Sequence, residues 1–192
     1  MPSEERDLIA ALRRRDAGAF DELYRRHHAR IWAFLARLCG DRAEAQDLFQ
    51  ETWLSAARHA HRLDEDGDVL PWLYAIARNK HRSARRFLLF DLRRKERFAQ
   101  EPAAGTIAPD EQAAARARAL EVQAAFEELA DAHREVLLLC LVEGLETRQV
   151  AEILGLREDA VRKRLSRARA ELEDALGGRE RRWRPTLRGE PS

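Results

Sequence analysis

Residues 147–169, TRQVAEILGLREDAVRKRLSRAR, place Ala151, Gly155 and Val161 at the spacing that two short helices need to cross at a tight turn. Ala151 is small enough for close helix contact, Gly155 can take the left-handed conformation at the turn, and Val161 plugs the second helix onto the first. On that second helix Val161, Leu165, Ala168 and Leu172 recur on one side, leaving Arg162, Lys163, Ser166 and Arg169 on the other with Arg164 and Arg167 flanking. A helix-turn-helix with a cationic outer face makes duplex DNA the first partner to consider, although an Arg-rich amphipathic helix is also often a plain solvated surface.

Ala, Leu, Arg and Glu dominate the 192 residues, and 9 glycines and 6 prolines suffice to punctuate helices, so the class expected is all-α. The net charge of +1 hides a strong pattern. Residues 1–60 hold 10 basic and 10 acidic side chains, 61–100 hold 10 and 6, 101–146 hold 3 and 10, and 147–192 hold 12 and 8. Two basic blocks therefore flank an acidic one.

Ser3 caps a first helix to about Arg15. A second runs from Ala19 to a stop at Gly40 with Phe20, Leu23, Tyr24, Ile31, Phe34, Leu35 and Leu38 as its core stripe. Asp41 and Glu44 form a capping-box pattern that opens a third helix to about Ala60. The run HRLDEDGDV reads as a loop, and Pro71 starts a fourth helix with Leu73, Ile76, Ala77, Ala84 and Phe87 inward and Tyr74, Arg78, His81, Arg82 and Arg85 outward. After a Pro- and Gly-bearing stretch, helices are expected at about 113–129, 132–143, 147–154 and 158–175, with Gly144 and Gly177 ending two of them and Leu120 in the core. The fold expected is two small helical bundles joined by a flexible linker: a first module over 1–90, a tether over 91–112, a helix-turn-helix module over 113–176 and a disordered basic tail over 177–192.

Three stretches line up in order: AQDLFQETWL at 45–54, PWLYAIARNK at 71–80, and the helix-turn-helix preceded by HREVLLLCLVEGL at 133–145. Together they resemble the extracytoplasmic-function sigma factors, the small two-domain class of bacterial RNA polymerase specificity subunits, over about residues 7–90 and 118–175. The resemblance implies that 45–54 docks on the clamp of the largest polymerase subunit. Independently, Asp47, Gln50, Glu51 and Leu54 share one face of the third helix, an interface composition that could also be a solvated face with one stray Leu. The stretch from 71 to 86 resembles the part that melts and reads the minus-ten promoter element as single strand. Its candidates are Tyr74 as a stacking partner and Arg78, His81, Arg82 and Arg85 toward phosphates, while Trp72 is expected to pack on the bundle. Ser83 stands where the family commonly has an acid.

The helix-turn-helix resembles the family's reader of the minus-thirty-five element, bound as duplex in the major groove. Arg162, Lys163, Ser166 and Arg167 are its candidates, with Arg148 near a phosphate. Ala160 stands where the family often has Thr or Ser, and Glu158 and Asp159 favour that helix's N-terminus while repelling phosphate. Core RNA polymerase, promoter DNA and an anti-sigma factor are the partners the resemblance implies.

Cys39 and Cys140 are lone cysteines, and His59 and His61 lack any partner at ligand spacing, so neither a disulfide scaffold, a metal nor a cofactor is expected. Nothing approaches the roughly 18 apolar residues of a membrane span, which points to a cytoplasmic, reduced setting. Without a phosphate-cradling loop or nucleophile turn, catalysis by this chain is not expected. A free-standing helix-turn-helix regulator and a non-DNA adaptor remain as alternatives. A single fused body, with the arginines of either reader paired to the chain's own carboxylates, would overturn the division of labour between two modules.

Overall fold

The computed structural model describes the backbone of residues 3–94 and 111–183, and side chains within residues 4–87 and 120–177. Eight α-helices and no strand form the regular structure of these residues: α1 (Ser3–Arg13), α2 (Ala17–Cys39), α3 (Arg42–His59), α4 (Val69–Arg94), α5 (Glu111–Glu128), α6 (Asp131–Leu137), α7 (Thr147–Leu154) and α8 (Glu158–Trp183).

Local chemistry sets most of the boundaries. Asp16 caps α2 by accepting from the Ala19 N–H at 3.0 Å, and Gly40 ends it in the left-handed region at φ 74°. One residue later Asp41 caps α3 by accepting from the Glu44 N–H at 2.7 Å, so α2 and α3 form a tight hairpin. α4 begins at Val69, two residues before Pro71: the Asp68 carboxylate accepts from the Leu70 N–H at 3.2 Å and its carbonyl from Trp72, while Pro71 sits in the first turn, where no N–H is required.

α1 to α4 bury Ile9, Leu12, Leu23, Ile31, Phe34, Leu35, Leu38, Leu73 and Ala77 among themselves, and Trp72 is half-buried against that core as expected. Each large side chain buried there contributes about 1.5–3 kcal/mol. Phe20, Tyr24 and Phe49 pack edge-on around Trp53. The second bundle closes α5, α6 and α7 on α8 through Leu129, Val136, Leu139, Val150, Ile153, Val161 and Ala168.

Four expectations need correction. Tyr24, Phe87 and Leu120 are exposed rather than buried: Tyr24 covers the outer side of the aromatic group around Trp53, and α4 and α5 each run past the core at the other two positions. α8 passes through Gly177 to Trp183, with Gly177 at no positive φ, so the first seven residues of the expected tail are helical; residues 184–192 lie outside the described residues. Residues 91–94 belong to α4 and 111–112 to α5, while 95–110 of the expected tether lie outside the described residues. Finally, α6 does not continue regularly to residue 143. Leu138–Val142 form a π turn in which the Glu143 N–H bonds the Leu138 carbonyl at 2.9 Å. The extra residue rotates the chain so that Leu138 and Leu139 point into the core, Leu141 and Val142 face solvent, and Glu143 turns back toward α4.

The two bundles are not separate bodies. Their buried side chains form one continuous apolar core, and α2 and α4 of the first pack on α6 and α7 of the second.

Candidate nucleic-acid interface

The helix-turn-helix is built as its spacing requires. A capping box opens α7, with the Glu146 N–H bonding Gln149 Oε1 at 3.0 Å. Gly155 ends α7 at φ 65°, a backbone conformation costly for any residue with a Cβ, and the Leu156 N–H reaches the Ala151 carbonyl at 2.9 Å. Val161 and Ala168 of α8 are buried, with Leu165 and Leu172 packed partly beside them. Arg148, Arg162, Lys163, Ser166 and Arg167 all lie on the exposed face, as does Arg169.

Those cations differ in their neighbours. Arg162 is held by the acids one turn earlier, Glu158 at 3.5 Å and Asp159 at 2.8 Å, and the Asp159 hydrogen bond raises its already high pKa. Arg148 lies 3.4 Å from Glu152. Lys163 and Arg167 have no acid within ion-pair distance among the described residues, so these two face solvent as uncompensated charges. An exposed strip of fixed cations on a helix projecting from a compact pair suits a polyanion.

On α3, Asp47, Gln50, Glu51 and Leu54 are exposed on one face, Leu54 to 57 %. Glu51 meets Lys80 of α4 at 3.2 Å. Leu54 borders a groove with Leu12, Phe20 and Ala57, so the apolar residue is not isolated but extends a continuous depression rimmed by Arg15 and Arg58.

The α4 candidates require a correction. Tyr74, Arg78 and His81, expected on the outer face, are 0 %, 6 % and 2 % exposed, while Arg82 and Arg85 are exposed. The side expected in water is buried on two fronts: the Tyr74 ring packs edge-on against Phe34 of α2 and His81 lies beside Cys39 and Glu44, while Arg78 and the Tyr74 hydroxyl meet the second bundle. Arg78 pairs through Nε with Glu135 of α6 at 3.0 Å and donates from a terminal nitrogen to the Ile153 carbonyl at 3.2 Å. Tyr74 donates its hydroxyl to Glu143, which also receives Arg30 at 3.3 Å. Burial and the Glu143 carboxylate push the Tyr74 hydroxyl well above its ordinary pKa. Arg85 lies 3.2 Å from Asp131. Burial holds His81 neutral, its pKa lowered to about 4.

Sequence reasoning missed the acceptors of this seam. Glu135 and Glu143 sit in an apolar run where acids look like interruptions; an acid inside VLLLCLV-type flanks is the one signal that could have marked them. Two further links close the seam: Arg134 donates to the Leu38 carbonyl at 3.1 Å, and the Gln149 amide to Asp68 at 2.7 Å. The latter ties the helix-turn-helix directly to the loop before α4.

Comparison with known proteins adds to this geometry. Residues 23–88 match the family described as Sigma-70 region 2, and residues 119–172 match Sigma-70, region 4. The chain is 33% identical over 162 residues to the RNA polymerase sigma factor CarQ of Myxococcus xanthus, covering 83% of this chain and 90% of that protein. It is 34% identical over 158 residues to the ECF RNA polymerase sigma factor SigL of Mycobacterium tuberculosis, covering 78% and 84%. Among solved structures it resembles CnrH in complex with the cytosolic domain of CnrY at TM-score 0.66 and 29% identity, covering 90% of this chain and 97% of that one. The sigma factor RpoE of Bartonella quintana, solved with the anti-sigma factor NepR, shares the fold at TM-score 0.69 and 23% identity, covering 82% and 96%.

Proposed function

Because the chain belongs to the extracytoplasmic-function sigma factors of the sigma-70 family, whose members bind core RNA polymerase and direct promoter-specific initiation, we propose that the structure is its closed form. In this form the minus-thirty-five reader is ready while the minus-ten reader is covered. α8 enters the major groove of the upstream duplex, with Lys163, Ser166 and Arg167 toward base edges and phosphates and Arg148 and Arg162 toward the backbone. The α3 face of Asp47, Gln50, Glu51 and Leu54 docks on the polymerase clamp. Arg82 already faces out beside the seam; Arg85 must leave Asp131, and Arg78 becomes available to the separated strand when the bundles part, while Tyr74, packed on Phe34 of α2, and His81, beside Cys39 of α2 and Glu44 of α3, stay within the first bundle. The chain acts in the cytoplasm, carries out no chemistry itself and leaves RNA synthesis to the polymerase.

The single observation that carries this reading is the contrast in exposure between the α8 strip, open to solvent, and Arg78 and Tyr74 of α4, closed off by Glu135 and Glu143. Binding energy from the clamp and the promoter must exceed the seam's differential stability for the closed form to open. An anti-sigma factor, like the NepR co-crystallised with the sigma factor RpoE, would act on the same equilibrium by holding the chain away from polymerase.

The test is reconstitution of core polymerase, promoter DNA and this chain, scoring association and transcription together. Promoter-specific RNA is expected from the full mixture and not from core alone. Glu51→Arg places a cation beside Lys80 on the clamp-facing side and is expected to abolish co-elution with core while circular dichroism stays unchanged. Undiminished co-elution would remove α3 from the interface, and tight specific DNA binding without polymerase would favour a free-standing regulator.

A further inference from the structure

The hairpin between α2 and α3 and the middle of α4 bring together three side chains that have no motif relation in the sequence. Cys39 is the last residue of α2, Glu44 lies in the first turn of α3 beyond the Gly40–Asp41 turn, and His81 faces them from α4. One sulfur, one carboxylate oxygen and one ring nitrogen all lie within 4.8 Å of one another. His81 is 98 % buried by its 2 % exposure, and its Nδ1 has no hydrogen-bond partner. Glu44 Oε1 is likewise buried and unpartnered. Two unsatisfied polar atoms in one pocket are unusual, since each costs about 1–3 kcal/mol relative to a satisfied group.

We propose that Cys39, Glu44 and His81 form a binding site for a divalent transition ion of the zinc type. A tetrahedral zinc ion with sulfur, nitrogen and oxygen donors needs donor–donor edges of about 3.4–3.6 Å, which small side-chain rotations reach from the observed spacing. A thiolate beside an imidazole selects a borderline-soft ion over magnesium or calcium. The thiolate and the Glu44 carboxylate neutralise the dication, which relieves the burial of both polar groups at once. Charges felt at His81 from the surrounding helices are those of Asp131, Arg85, Arg134 and Arg78; the Arg134 and Arg78 guanidiniums have partners of their own, at the Leu38 carbonyl and Glu135, as does Arg85 at Asp131. Cys39 and Glu44 are half-buried, so the three donors are not sealed from solvent, which would supply the fourth ligand. The ion would pin α2, α3 and α4 together immediately beneath the seam.

Cobalt(II) titrated into metal-free, reduced full-length chain reads the site directly, because thiolate ligation gives a charge-transfer band in the near ultraviolet. One equivalent of cobalt is expected to saturate that band and one of zinc to bleach it. Cys39→Ser and His81→Ala are expected to lose it, while Cys140→Ser and His59→Ala keep it. Glu44→Gln, half-buried and nearly isosteric, is expected to weaken cobalt affinity by at least about 10- to 100-fold with circular dichroism unchanged. A band that is absent at one equivalent, that grows without saturating, or that survives Cys39→Ser overturns the proposal. Normal affinity in well-folded Glu44→Gln removes the carboxylate and reduces the donor set below what the argument requires.

Discussion

α4 and α8 present the same kind of sequence, an amphipathic helix whose polar face is rich in arginine, yet they end in opposite surroundings. On α8 the acids that meet Arg162 lie on the same helix, Glu158 and Asp159, and the strip as a whole stays in water. On α4 the acids come from another bundle: Glu135 against Arg78, Glu143 against Tyr74 and Asp131 against Arg85. Local pairs leave a surface available, whereas cross-bundle pairs turn the same residues into a latch. The difference in exposure between the two strips therefore resides in the acids of α6 and those flanking its π turn as much as in the arginines.

The largest effect expected from breaking this contrast is at Glu135. Both members of the Arg78–Glu135 pair are buried, with side chains 7% and 4% exposed, so losing one partner leaves an uncompensated charge in a dry site. Glu135→Gln is expected to weaken the closed form by about 3–5 kcal/mol. Hydrogen exchange along α4 is the measurement, with faster exchange there and little change in α8. Uniform acceleration through both bundles would mean that the pair supports the fold as a whole and not the seam. A smaller loss, about 1–3 kcal/mol for an acceptor withdrawn from Tyr74, is expected from Glu143→Ala. Non-specific single-strand affinity without polymerase should rise in both variants.

The next effect concerns reading, not closure. Lys163→Ala is expected to cost about 1–3 kcal/mol at cognate promoters and to relax preference at one position, while Arg167→Ala should weaken binding to all sequences and lower the salt slope by about 1. Equal losses at every promoter for Lys163→Ala would move that side chain from base to phosphate.

Acid sharpens the comparison, because α8 has no histidine and α4 buries one. With its pKa lowered from 6.5 to about 4, His81 stays neutral in the folded chain while the unfolded chain takes up a proton near pH 6.5. Its contribution is thus fully present above about pH 6.5 and is lost progressively as pH falls toward 4, at up to about 1.4 kcal/mol per pH unit. Urea midpoints of metal-free protein between pH 7 and 5 should show that slope, and His81→Asn should flatten it. An unchanged slope would assign the acid sensitivity to the seam carboxylates instead.

What could be read from the chain follows the range of the interactions. The caps at Asp41 and Gly155 depend on neighbours within a few residues, and each forms where the sequence places it. The outward strip of α8 was legible for the same reason, since its buried side answers a 3.6-residue period. Tyr74, Arg78 and His81 share one side of α4 but not an outer one: that side is buried against α2, α3 and the second bundle, because periodicity reports which residues share a face and not what meets it. The hydrogen-bond partners of Tyr74 and Arg78 that decide the matter lie between 57 and 75 positions away. Cys39, Glu44 and His81 escaped for the same reason: their spacings of 5 and 37 residues match no ligand motif and acquire meaning when the hairpin and α4 meet.

The smallest effect expected tests whether the local acids of α8 act as a mild version of the latch on α4. Asp159 holds Arg162 at 2.8 Å on an exposed face and also complements the positive end of the helix. If the pair merely parks the guanidinium, Asp159→Ala frees it for phosphate and removes one negative charge from the approach of DNA. Affinity for duplex should then rise severalfold, most at low salt, with the unfolding midpoint almost unmoved because both groups are solvated. Should affinity fall instead, Asp159 orients Arg162 for its contact, and the distinction between local and cross-bundle acids becomes one of geometry: the first aims a cation at DNA, the second withdraws it.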